Sequence, residues 1–182
     1  MAQLDPTFFY VAKLAVALIF FISAIQKLRD IEAFELTVDL YDLIPDSLVK
    51  GFSRILPVAE LVTAGLLVTN LQEGLSGLSL AILIMTVTTL AVVVNLTRGN
   101  IDMSCGCGGL EDESSLSWSL VGRNIVILGV LAVCLVSNNL RALTALDFVT
   151  IIAGSIGIYL LYALNSQLIA NKPRLSKLRD SL

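Results

Sequence analysis

The sequence predicts an all-α integral membrane protein: a bundle of about five transmembrane helices, with an amphipathic interfacial helix after the first span. Three observations carry that expectation. Of the 182 residues 56% are hydrophobic and only 15% charged, and the mean hydropathy of +0.86 lies outside the range of soluble globular chains. Five stretches approach the roughly 20 apolar residues that a helix needs to cross a bilayer. Between the first two, apolar residues recur at helical spacing among acidic ones. The net charge of −3 decides little, because the placement of charge matters more here than its sum. No Gly-rich phosphate loop, nucleophile triad or long basic run is present, so nucleotide, acyl-transfer and nucleic-acid partners are not indicated.

The first span, 7–26, is too long for a signal-peptide core and no basic residue precedes it, so it reads as a retained helix. In 31–44, Ile31, Phe34, Val38 and Tyr41 share one helical face while Asp30, Glu32, Glu35, Asp39 and Asp42 fall elsewhere. That pattern suits a helix lying at the membrane interface and ended by Pro45; the plainer alternative is a solvated connector. The second span, 55–71, is short and carries Pro57 and Glu60. The third is 75–96. A polar loop, 97–119, leads to the fourth span, 120–136, which carries Arg123 and Asn124. The fifth span is 143–164. Residues 1–164 then form a single bundle, and 165–182 a short, mobile basic tail with Pro173 as a breaker.

Chain parity sorts the polar residues. With the N-terminus on side A, five spans put the 27–54 segment, the 97–119 loop and the tail on side B. Lys27 ends the first span there, and Asn95 and Arg98 end the third. Glu60 is expected about five residues into the second span from side B, or roughly 8 Å deep. Arg123 and Asn124 occupy the first turns of the fourth. Ionisable groups within spans usually face the bundle interior and find partners, so a Glu60–Arg123 pair beneath the loop is expected. The plainer alternative has Arg98 and Arg123 reaching to headgroups and Glu60 pinning two helices. Lys13, nearer side A, is expected to snorkel.

The loop contains the chain's most specific feature, Cys105-Gly106-Cys107-Gly108-Gly109. Cα atoms two residues apart lie within roughly 7 Å, and a disulfide tolerates about 4.4–6.8 Å, so this pair can close on itself. Gly106 permits the bend. A ring this small is strained, and strained, exposed disulfides are the labile, oxidising kind. Redox exchange at Cys105 and Cys107 is the leading reading. As a static staple the pair would close almost no loop and stabilise little. A soft-metal clip, such as a Cu(I) carrier, stays open, although a closed zinc site needs about four ligands and the chain has no histidine. Cys134 is expected to be a small buried hydrophobe. Nearby cations or a helix N-terminus lower a thiol's pKa, and Arg98, Arg123 and the start of the fourth helix are placed to do so.

Together these residues resemble a known family. Lys27-Leu28, Phe34, Val38, Tyr41, Leu43-Ile44-Pro45, Leu56-Pro57, Glu60 and Gly65 form a spaced pattern, continued by Arg98-Gly99, Cys105-Gly106-Cys107, Trp118 and Arg123-Asn124. The pattern is similar to that of the MauE family of methylamine-utilisation membrane proteins, related to the wider DoxX group, over residues 14–130. Family members commonly have an aromatic where Gly108 stands.

The resemblance implies a multi-pass protein of the bacterial cytoplasmic (inner) membrane that supports maturation of a periplasmic enzyme. The client it implies is the disulfide-rich, tryptophylquinone-bearing small subunit of methylamine dehydrogenase, and the partner is a thioredoxin-like protein of the MauD type. Cys105 and Cys107 would then be the reacting pair of a thiol–disulfide oxidoreductase, supported by Arg123, Asn124, Glu60, Arg98 and Lys27. No cofactor or metal is required, although a membrane quinone remains an open electron acceptor. The alternatives are a non-enzymatic scaffold for the thioredoxin-like partner, a quinone-coupled disulfide oxidase, or a transmembrane carrier of reducing equivalents. Orientation is contested. Side B holds ten Lys and Arg residues against Lys13 and Arg141 on side A, which by the positive-inside rule makes side B cytoplasmic. The resemblance, and the need for an oxidising compartment, place the cysteine loop in the periplasm, the side favoured here.

Overall fold

A computed structural model describes residues 6–69, 75–100, 116–136 and 144–180, which form six α-helices and, among the described residues, no strand. These are α1 (Pro6–Arg29), α2 (Ile31–Leu40), α3 (Asp46–Thr69), α4 (Leu75–Thr97), α5 (Trp118–Val136) and α6 (Ala145–Asp180). Five are long and apolar enough to cross a membrane, in the order expected, and α2 is the short extra helix between the first two. Cys105 and Cys107 lie outside the described residues, as does most of the 97–119 loop.

α1 is the central helix. It packs on α3, α6, α5 and α2, and 56% of its apolar window is buried, against 11% for α6. The core gathers Phe9, Val16 and Phe20 from α1, Leu67 from α3, Ile84 and Met85 from α4, and Leu131 from α5. Cys134 belongs to this core, as expected of a small buried hydrophobe. In lipid there is little hydrophobic drive between helices, so close packing through small residues does most of the joining. Gly77 shows this: a Cβ there would lie 3.1 Å from the backbone of Leu66 and Leu67, so only glycine lets α4 approach α3 this closely. A Cβ at Gly154 would meet the side-chain methyls of Val11 at 3.2 and 3.3 Å, and the neighbouring Ser155 hydroxyl donates to the Val11 carbonyl at 3.2 Å. Lys13 does not snorkel; it is buried, because the helix carrying it is enclosed on several sides.

Helix boundaries shift where local chemistry overrides hydropathy. The Asp30 side chain caps α2 by accepting from the Ala33 N–H at 3.1 Å. α2 stops at Leu40 rather than near Ile44, because Asp42 adopts a left-handed conformation (φ 48°) that no helix continues. Its inward face is the expected one: Phe34 and Tyr41 are buried, whereas Glu32 and Asp39 are exposed. α3 begins at Asp46, well before position 55, with an acidic residue in its first turn to complement the helix dipole. Pro57 stands inside this helix instead of near its start, at the loss of one backbone hydrogen bond. α6 starts where the Thr144 backbone N–H and hydroxyl both donate to the Asp147 carboxylate, at 2.7 and 2.9 Å. It then runs through Pro173 to Asp180, so the tail is helical rather than loose. A single proline removes one bond, and the Leu, Lys and Arg around it favour helix.

Candidate functional site

Near the C-terminal end of α1, the bundle forms a partly open cavity of about 400 Å³. All six helices contribute to its wall, which is mainly apolar, and four of the five supporting residues expected from sequence line it: Lys27, Glu60, Arg123 and Asn124. Parity alone correctly gathered them at one end. Their pairing is different from the one expected.

Glu60 bonds to Lys27, not to Arg123. α3 begins at Asp46, so Glu60 sits mid-helix, about 20 Å along from its start. That position is level with the last turn of α1, where Lys27 stands. Lys27 Nζ donates to Glu60 Oε1 and, at 2.8 Å, to Ser23 Oγ one turn back on its own helix. It also lies 5.5 Å from the centre of the Phe34 ring on α2. Both charged residues are buried, at 6% and 3% exposure, which is tolerable only because they neutralise each other. The second carboxylate oxygen, Glu60 Oε2, is buried and has no hydrogen-bond partner among the described residues; Ser117 Oγ is the other such atom.

Arg123 turns instead toward α6. Its Nη1 donates to Ser166 Oγ at 2.6 Å, and its guanidinium carbon lies 4.7 Å from the centre of the Tyr162 ring. Nε and Nη2 reach the Asn124 side-chain carbonyl at 3.4 and 3.3 Å. Asn124 Nδ2 in turn donates to Thr89 Oγ1 at 3.1 Å, and Thr89 donates to the Met85 carbonyl at 2.6 Å. A polar chain thus crosses α6, α5 and α4 beside the cavity. The partners Ser166 and Thr89 were not anticipated. Their signal in the sequence is a hydroxyl or aromatic at i, i+4 within an apolar span, as in Ser23 with Lys27 and Tyr162 with Ser166.

Arg98 does not line the cavity. Its Nη1 donates to the backbone carbonyls of Asp42 at 3.1 Å and Tyr41 at 3.4 Å, tying the end of α4 to the α2–α3 turn. Gly99 (φ 84°) closes α4, and the Asn100 N–H returns to the Asn95 carbonyl at 3.0 Å. On the far side of the undescribed segment, Leu116 is buried against Tyr41, Val92, Leu96 and Val121. The described residues on either side of the stretch bearing Cys105 and Cys107, Asn100 and Leu116, are thus both anchored. Among the described residues no group of three or more His, Cys, Asp or Glu gathers.

Comparison with known proteins gives this arrangement a context. The sequence model of the family described as Methylamine utilisation protein MauE matches residues 5–137, a range that includes the cavity residues of α1 to α5 and the Cys-Gly-Cys unit. The chain is 32% identical over 125 residues to methylamine utilization protein MauE of Paracoccus denitrificans, covering 68% of this chain and 66% of that protein. It is 38% identical over 104 residues to the protein of the same name from Methylophilus methylotrophus, covering 57% and 54%. The matched region spans less than two thirds of either relative. No solved structure matches. With the matching region covering most of its length and all but the last of its long helices, the chain belongs to the MauE family.

Proposed function

We propose that this protein is a membrane thiol–disulfide exchange protein in which Cys105 and Cys107 cycle between dithiol and disulfide. The observation that carries the reading is the placement of the Cys-Gly-Cys segment. In sequence it lies between α4 and α5, and Lys27, Glu60, Arg123 and Asn124 converge on a cavity lined by residues of both helices. A thiolate is the attacking species in disulfide exchange, and a helix N-terminus such as that of α5 favours it. The relatives' names tie the family to methylamine utilisation. The client best suited to that context is a disulfide-rich periplasmic enzyme, the small subunit of methylamine dehydrogenase, served with a thioredoxin-like partner. On this reading the protein sits in the bacterial cytoplasmic membrane with the cysteine segment facing the periplasm, where disulfides persist.

The test is replacement of both cysteines, Cys105→Ser with Cys107→Ser, in a host that depends on the protein for enzyme maturation. The expected outcome is client subunit with missing or scrambled disulfides and lost enzyme activity, while the variant still inserts in the membrane. Normal maturation by the double variant would contradict exchange and leave the scaffold reading. In that case altering the exposed residues of α2, such as Leu36 and Leu40, should abolish partner binding.

A further inference from the structure

We propose that the cavity binds a membrane-soluble hydroquinone, the reduced form of a tailed benzoquinone or naphthoquinone, with a ring hydroxyl donating to Glu60 Oε2. Three features of the cavity select this ligand class. Its volume of about 400 Å³ lies in the small-molecule range and holds a substituted ring with the first part of an aliphatic tail. Its wall is mainly apolar and includes the aromatic residues Phe20, Phe34 and Tyr162. Val87 and Leu90 line the cavity and are also exposed on the outer face of α4, so a tail can leave toward lipid between them.

The polar groups then decide the head. Glu60 is 3% exposed, and its Oε2 lacks a partner among the described residues. An ionised carboxylate oxygen only accepts, so the occupant must bring a hydrogen-bond donor, which a ring hydroxyl supplies. Nearby, Arg123 spends three of its five N–H hydrogens on Ser166 and Asn124, and the two left on Nη1 and Nη2 suit the oxygen at the far side of a ring. A fatty-acid anion matches the cations but offers Glu60 no donor. A hydrocarbon tail alone matches neither. A ring with two oxygens that donate when reduced and accept when oxidised fits both ends of the site. The proposal rests on the thiol-exchange reading only for its role: a quinone taking two electrons and two protons from a dithiol leaves a disulfide and the hydroquinone. Binding does not depend on that role.

The full-length protein in quinone-free nanodiscs is titrated calorimetrically with a benzoquinol carrying one isoprene unit, then with the matching quinone. Saturable binding of the quinol is expected. Glu60→Gln should weaken the quinol by about tenfold or more, the effect of losing a hydrogen bond to a charged group, and the quinone by less than about threefold. Thr88→Phe, which fills the cavity without touching the ion pair, should remove binding of both. The Cys105→Ser/Cys107→Ser variant should bind the quinol as the parent does, so failure of the thiol reading leaves this result standing. No saturable binding by the parent would overturn the proposal, as would quinol affinity indifferent to both substitutions. So would laurate anion binding more tightly than the quinol, which would make this a fatty-acid site.

Discussion

The two ends of the bundle are joined by different means. Toward the N-terminus of α1, helices meet through small residues and bare packing: Gly77 against the α3 backbone, Gly154 and Ser155 against Val11, and Phe9, Ala12 and Val16 in an apolar core. Hydroxyls here mostly bond within their own helix, as Ser79 does to Leu75. Toward the C-terminus of α1, side chains bond from one helix to another: Lys27 to Glu60, Asn124 to Thr89, Arg123 to Ser166, and Arg98 to the α2–α3 turn. Lys13 is the exception at the first end, a buried cation in an otherwise apolar neighbourhood. The difference teaches a division of labour. Packing sets the frame, and cross-helix polar contacts hold open a cavity that close packing would have filled.

The sharpest way to break this contrast is to remove one member of the ion pair. Glu60→Leu or Lys27→Met should each lower stability by about 3–5 kcal/mol, because each leaves a buried charge unpaired. Combining them should recover much of that loss. Equilibrium unfolding in detergent, with helical circular dichroism as the signal, checks both. If the double variant is as unstable as the sum of the singles, Lys27 and Glu60 do not neutralise each other as described. At the packed end, Gly77→Leu should cost about 1–3 kcal/mol by forcing α4 away from α3, measured in the same way. Asn124→Leu should cost less, of order 0.6 kcal/mol, the usual size of one interhelical hydrogen bond in a membrane protein. Ser155→Ala should change least, since its hydroxyl also bonds within α6 to the Ile151 carbonyl, a bond whose loss alanine tolerates well.

How much of this was legible in the chain follows the same divide. Hydropathy placed the five long helices in order, and the spacing of Phe34 and Tyr41 gave the inward face of α2. Parity brought Lys27, Glu60, Arg123 and Asn124 to one end, because counting crossings needs no knowledge of packing. The partner of Glu60 was not legible. Parity fixes an end but neither the depth along a helix nor the direction around it, and the early start of α3 at Asp46 moved Glu60 level with Lys27. Arg123 looked like the natural acid partner, yet a guanidinium satisfied by Ser166, Asn124 and the Tyr162 face needs no carboxylate. The snorkelling of Lys13 failed for a related reason, since composition does not reveal that α1 is enclosed by its neighbours. Pro173 misled as a breaker because a proline weakens a helix without always ending it.

The central claim concerns Cys105 and Cys107, and the redox state of those two residues tests it most directly. Membranes are equilibrated at a series of defined thiol–disulfide potentials, quenched with acid, and alkylated with a mass-shifting maleimide under denaturing conditions. The fraction of Cys105 and Cys107 modified is then read by mass spectrometry, with buried Cys134 as the internal reference. A two-electron transition is expected, in which both thiols of the Cys-Gly-Cys unit become protected together while Cys134 stays modified throughout. A pair that remains fully alkylated at every potential, or fully protected at every potential, would contradict exchange at this site.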